Sequence, residues 1–381
     1  MKYYAKIALQ HLAMGLIIPI TVIWKMNNGL TVGEAIFTES IILLATALAD
    51  LPAGFIANVI NNKRSLILGA LLHLVGMALL IIGDSLSIFI VAAIVTGIAW
   101  AFVSGADEAY LYDDFIDDKR KYRKYFSKVT IVDEVFTIFG MLLSSLFLYV
   151  GFDLRILFIM ATAILVAHLV YTAFILPASR SATSKKSTDK KAMFSMQLFK
   201  SKPLIALLPL MAALAIVFEA GRPLWQPHMQ SNGIDIAAFG VLFALLKLAS
   251  IAGSIVSNVR EFNIKDLLVV FTLMLGSLLL FGISVASISI IALCAYLFTE
   301  NYFRIYMSTI LNERIDSHRA AILSISSVIR NAIGSLIIVG AGLLADTSIM
   351  LALFCLVIIK VPAIIYILSQ VSFKKDAAIS A

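Results

Sequence analysis

Apolar residues run through this chain in long continuous stretches broken by short polar turns. A helix needs about 20 predominantly apolar residues to cross a bilayer. Twelve stretches meet that requirement, at residues 7–24, 34–59, 65–82, 87–112, 129–149, 154–176, 203–222, 236–258, 266–283, 288–311, 320–344 and 349–368. Strands of a membrane barrel would instead alternate over ~10-residue segments. After the sixth span, Pro177 opens a polar segment rich in Ser and Lys that runs to Lys202. The pattern predicts an all-α integral membrane protein with twelve transmembrane helices in two six-helix bundles, 1–176 and 203–381, joined by a basic linker, 177–202. Ala57-Asn58-Val59 at the end of the second span is echoed 200 residues later by Ser257-Asn258-Val259 at the end of the eighth. That echo points to a duplicated six-helix unit and pseudo-two-fold symmetry, as transporter folds commonly show.

Composition agrees, with 61% hydrophobic and 14% charged residues and a mean hydropathy of +0.98, far from a soluble domain. The net charge of +7 is explained by where the bases lie. With the N-terminus inside, the cytoplasmic connections hold 23 of the 30 Lys and Arg, while Lys25, Arg155 and Arg222 fall outside and Lys247, Arg304, Arg330 and Lys360 fall within spans. Both termini are therefore expected in the cytoplasm. The clusters Lys119 to Lys128 and Lys185 to Lys191 fit the cytoplasmic charge bias and attraction to anionic lipid rather than a nucleic-acid surface. Lys2 and Lys6 precede an apolar run with no small-residue cleavage site, which reads as an uncleaved first span. Cys294 and Cys355 sit in separate apolar runs as buried hydrophobes rather than a disulfide.

A charged side chain in the bilayer costs at least ~2.5 kcal/mol, so the intramembrane acids are the candidate chemistry. They are Glu39, Asp50, Asp107, Glu108, Asp133, Glu134, Glu219 and Glu300, with Lys247, Arg304, Arg330 and Lys360 as bases. Surplus acid argues for proton coupling or a cationic substrate. Glu39, Asp50 and Glu134 also fit span ends in water. Asp107 and Glu108 leave the fourth span about 100 degrees apart, beside a small-residue stripe of Gly97, Ala101, Gly105 and Ala109. One acid is expected to face a polar interior, the other the basic loop that follows. Asp107, Glu108, Asp133 and Glu300 are the proton-coupling or gating candidates. Arg304 follows Glu300 by four residues, the favourable order for an intrahelical pair. Arg304, Arg330, Glu219, Lys247 and Trp100 are the substrate-binding candidates, with Glu219 open to pairing with Arg222. His11, His73 and His168 lie singly in their spans, with no partner at i+3 or i+4 for a metal. No phosphate-binding loop, nucleophile elbow or zinc-protease motif is present, so no cofactor, metal or enzymatic activity is expected.

Twelve spans as six plus six, a basic central loop and the turn Gly54-Phe55-Ile56-Ala57-Asn58-Val59-Ile60-Asn61-Asn62-Lys63-Arg64 resemble the major facilitator superfamily. Gly54, Lys63 and Arg64 match the family's gating turn, while its Asp is Asn58 and its later Gly is Asn61, which removes the acid's charge pairing. Asp50-Leu51-Pro52-Ala53-Gly54 and Ser104 to Asp113 are similar to the second- and fourth-span motifs of bacterial members, some of them efflux proteins. The Gly-Pro-rich fifth-span motif of proton antiporters is missing. The resemblance implies a secondary transporter of the bacterial inner membrane, working as a monomer among membrane lipids by alternating access. The favoured reading is proton-coupled export of a small organic molecule such as a drug, toxin or metallophore. A proton-coupled nutrient uptake symporter and a non-transporting membrane sensor are the alternatives.

Overall fold

A computed structural model describes residues 2–114, 119–177, 202–219, 221–259, 264–283, 285–313 and 319–379, and all of their regular structure is helical. The helices are α1 (Lys2–Ile17), α2 (Thr21–Asn27), α3 (Val32–Ile60), α4 (Asn62–Ile82), α5 (Leu86–Asp114), α6 (Lys119–Tyr149), α7 (Leu154–Val170), α8 (Lys202–Phe218), α9 (Trp225–Ser231), α10 (Phe239–Val259), α11 (Ile264–Phe281), α12 (Ala286–Glu313), α13 (Arg319–Ala345) and α14 (Ile349–Ile379). Among the described residues, 10 helices are long and apolar enough to cross a membrane. α1 and α2 pass the same test together, bent by 48°, and the apolar stretch Asp266–Phe281 of α11 is shorter. Exposed Leu48, Ile131, Val135, Leu146, Leu336 and Leu343 cover the outside with apolar surface, which is what lipid requires and water would penalise.

The first predicted span differs from its structure in extent. Helix begins at Lys2, so Lys6 lies inside α1 and is fully buried, not in a cytoplasmic connection. Lys25 ends up buried in α2 rather than in an outside loop. The linker beyond Pro177 and the side chains of Glu108 and Asn58 lie outside the described residues.

Contacts divide the chain into two compact units, Met1–Lys186 with Asp235–Ala244, and Ser187–Ile234 with Leu245–Ala381. In the first, α1, α2, α5 and α7 close on a core of Leu16, Ile20, Trp24, Phe89, Phe158 and Leu165. Trp24 donates its indole N–H to the Leu80 carbonyl at 2.9 Å. α1 and α6 meet backbone to backbone at Gly15 and Gly140, where a Cβ on either would collide with the other helix. The small-residue stripe of α5 is used in part: Gly97 abuts Ile42 and Ala45 of α3, whereas Gly105 has nothing within 4 Å of its Cβ position. Asp235–Ala244 joins this unit through Val241, whose N–H donates to Ser145 Oγ at 2.9 Å. In the second unit α11 packs on α12, and α8 on α13 and α14. Gly253 of α10 lies against the Phe298 carbonyl of α12.

Asn61 ends α3 and starts α4 at φ 78 and ψ 159, the one positive φ of a non-glycine among the described residues. This is the position where the expected turn carries Gly, and the backbone demand for a positive φ is the same. Such a conformation costs ~1–3 kcal/mol for a non-glycine residue. Asn61 recovers part of that by capping α4, accepting from the Arg64 N–H at 2.9 Å.

Candidate functional site

Three bases along α1 and α2 each bind an acid on a different helix of the first unit. Lys6 Nζ donates to both Asp107 oxygens, at 2.7 and 2.8 Å, and to Gln10 Oε1 at 2.9 Å. All three donors of the ammonium are thereby used. Tyr3 O–H donates to Asp107 Oδ1 at 2.6 Å and its ring stacks on Tyr110 at 5.3 Å. The helix spacing makes this possible, because Tyr3, Lys6 and Gln10 recur on one face of α1. Farther along, His11 Nδ1 lies 2.6 Å from Asp133 Oδ1 of α6, and Thr137 one turn later donates to the same oxygen at 3.2 Å. The Gly15–Gly140 approach is what brings these helices close enough for that pair. Beyond the bend, Lys25 Nζ reaches Glu39 Oε1 at 2.5 Å and Thr38 Oγ1 at 2.7 Å.

Lys6 and Lys25 stand near opposite ends of the bent span. At 1.5 Å per residue their separation is roughly 28 Å of helix, close to the ~30 Å apolar thickness of a bilayer. The first unit therefore carries an ion pair toward each membrane face and the His11–Asp133 pair between them.

The second unit is built on a break. α8 ends at Phe218, Gly221 adopts a left-handed φ of 59, and a short turn over Arg222–Leu224 leads into α9. The break lies midway in the apolar stretch Leu207–Ser231. It leaves carbonyls without helical partners, and Lys360 of α14 supplies the missing donor, reaching the oxygens of Ile216, Val217 and Glu219 at 3.1, 2.7 and 2.5 Å. A buried cation at a helix C-terminus also meets the negative end of its dipole. Glu219 turns back to accept from the Gly221 N–H at 3.0 Å. Glu300 of α12, with its side chain 1% exposed, binds Arg304 one turn on and lies 3.5 Å from Arg222 Nη2. Arg304 spreads over the Phe218 ring at 4.6 Å.

Of the residues singled out by sequence, the structure brings Glu219, Glu300 and Arg304 into this cluster. Asp107 is the acid of the fourth span that turns to the interior, pairing with Lys6 of α1, and Asp133 pairs with His11. Glu39 is paired with a buried lysine rather than standing in water. Arg330 is exposed, 3.2 Å from Ser327 Oγ. Lys247 and Asp50 are half-buried, outside the pairs described above. Trp100 has an edge-on partner in His73 at 4.7 Å. Gly54 has open space at its Cβ position, and Lys63 and Arg64 lie at the start of α4. Lys6, Gln10, Lys25 and Lys360 were missed as site residues. An isolated base inside an apolar run was the available signal. His73 and His168 are buried with ring nitrogens lacking a hydrogen-bond partner.

The family model described as Major Facilitator Superfamily matches residues 7–339. Among solved structures, the fold is similar to the nucleoside transporter NupG, at 12% identity over 97% of this chain and 98% of that one with a TM-score of 0.78. It is also similar to a POT family transporter in complex with 5-aminolevulinic acid, at 12% identity over 97% and 95% with a TM-score of 0.75. A bacterial homolog of the human lysosomal transporter Spinster is similar too, at 12% identity over 97% and 96% with a TM-score of 0.70. No curated protein matches the sequence. The family and these neighbours are transporters, not enzymes.

Proposed function

The chain belongs to the Major Facilitator Superfamily, and we propose on that premise that it is a proton-coupled secondary transporter exporting a small organic molecule. In this reading twelve spans form two six-helix bundles, 1–176 and 203–381, joined by the linker 177–202. The protein sits as a monomer in a bacterial inner membrane with both termini in the cytoplasm. The observation that carries the coupling is the fully buried Lys6 held by Asp107 across α1 and α5. Protonation of Asp107 removes the charge that holds the ammonium, so the two helices gain a second arrangement that a proton selects. The resemblance of Asp50 to Gly54 and of Ser104 to Asp113 to efflux members supports the export direction.

Uptake by symport is favoured by one feature of the second unit. Glu300 faces two guanidinium groups, so a proton on Glu300 leaves them free to attract an anion, and proton and anion then bind together. Transport in everted membrane vesicles separates the directions. An acid interior drives accumulation by an antiporter, and an acid exterior drives it by a symporter. Accumulation that persists after the pH gradient is collapsed refutes the coupling.

A further inference from the structure

The charge inventory at the α8 break is uneven. Three bases, Arg222, Arg304 and Lys360, meet two acids, Glu219 and Glu300. Lys360 is occupied by three carbonyls and Glu219 by the Gly221 N–H. Glu300 is left as the acid serving both guanidinium groups. A guanidinium carries five N–H donors in a planar fork. Arg304 Nε is buried without an acceptor, and so is the hydroxyl of Tyr296, a fully buried residue whose ring lies 6.0 Å from Lys360 Nζ. Both atoms lie inside the cluster, away from its exposed edge. Its accessible edge is cationic, since the Arg222 and Arg304 side chains are 58% and 34% exposed against 1% for Glu300. Beside that edge lies Phe218, under Arg304 and 5.6 Å from Phe303.

We propose that this edge is a binding site for an organic carboxylate, whose anionic group takes the free N–H forks of Arg222 and Arg304 and whose apolar body lies on Phe218. The planar guanidinium forks of the exposed edge match the two oxygens of a carboxylate. That the ligand is cargo rests on the transporter reading above; the site itself does not.

The test uses the whole purified protein and three isosteric probes, phenylacetate, phenylacetamide and phenethylamine, with inorganic phosphate as a bare anion. Binding is read from ligand-dependent shifts in thermal stability. Phenylacetate is expected to bind and the amide and amine to fail. Arg222→Gln and Arg304→Gln are each expected to weaken phenylacetate by about tenfold or more. Glu300→Gln, which removes the competing negative charge, is expected to tighten it several-fold, and this gain guards against variants that merely fold poorly. Preference for the amine, no shift with any probe at millimolar concentration, or unchanged affinity in folded Arg variants would overturn the site. Phosphate binding as well as phenylacetate would overturn the role of Phe218. Phenylacetate binding together with gradient-driven transport of cations alone sinks the carboxylate as cargo and leaves both the site and the transporter standing. Phenylacetate binding without gradient-driven movement sinks the transporter reading and leaves the site standing.

Discussion

Removing Asp107 and removing Lys6 break the same ion pair, yet the structure gives them different costs. Without Asp107 the Lys6 ammonium keeps one acceptor, Gln10 Oε1, and has no exposed surface through which water could reach it. Leaving one member of a buried pair uncompensated costs ~3–5 kcal/mol. Gln10 argues for the lower end, about 3 kcal/mol for Asp107→Ala. Without Lys6, Asp107 keeps the Tyr3 hydroxyl and 20% of its side chain exposed. Water can then replace the ammonium, and Lys6→Met should cost only ~1–2 kcal/mol. The double variant Lys6→Met with Asp107→Leu places apolar groups of similar volume in the interior and should lie near wild type.

Thermal unfolding of the purified protein at one fixed scan rate measures this. At roughly 2 °C per kcal/mol for a chain of this size, Asp107→Ala should fall by about 6 °C. Lys6→Met should fall by only about 2–4 °C, and the double variant should recover most of the loss. With Asp107→Leu as the matching single variant, the double-mutant cycle should show a coupling of at least ~2 kcal/mol. Additive losses, or a larger loss for Lys6→Met than for Asp107→Ala, would refute the argument that burial of the ammonium sets the cost.

Other outcomes follow from the same geometry. His11→Gln and Asp133→Asn should each abolish the response of vesicle transport to an imposed pH gradient while leaving thermal stability within ~1–2 kcal/mol, since both side chains are partly exposed. Gly140→Ala should lower the melting temperature, because its Cβ would meet the Leu12 carbonyl and Gly15 backbone; Gly105→Ala, with open space, should raise stability by up to ~1 kcal/mol. Lys360→Met should speed hydrogen exchange at the α8 break, read by mass spectrometry over peptides spanning residues 214–224, as three carbonyls lose their donor.

Hydrophobic runs pointed to an all-helical membrane chain, with 10 helices long and apolar enough to span among the described residues, because length and apolarity are one-dimensional properties. Span ends were harder. Lys6 was placed in a connection because bases near the N-terminus suit the membrane surface, and nothing local reveals that Asp107, 101 residues away, receives it. The Glu300–Arg304 pair was legible because both residues lie on one helix and helical spacing brings them together. His11–Asp133 was not, because its partners lie on α1 and α6 and the close approach depends on two glycines. The seventh span was ended at Arg222, beside the helix-ending signal Gly221-Arg222-Pro223, close to the observed end at Phe218. The compensating Lys360, 141 residues beyond Glu219, was not legible.

The two units handle buried charge differently, and that difference assigns them different work. In the first, each base in a described pair has one acid on another helix, so breaking a pair frees two helices from each other and acts as a latch. In the second, one acid serves two guanidinium groups while Lys360 is committed to backbone. Losing Glu300 there gives up the contact between α12 and Arg222, while Lys360 still secures the break. What it frees is cationic surface. In the proposed reading, a proton arriving at Asp107 would change which helices are held, whereas a proton arriving at Glu300 would change what the protein can bind. Coupling requires both kinds of response, and a variant set that separates them is Asp107→Asn against Glu300→Gln. The first should alter gradient dependence with ligand affinity intact, and the second should raise affinity for an organic carboxylate and remove its dependence on a proton at Glu300.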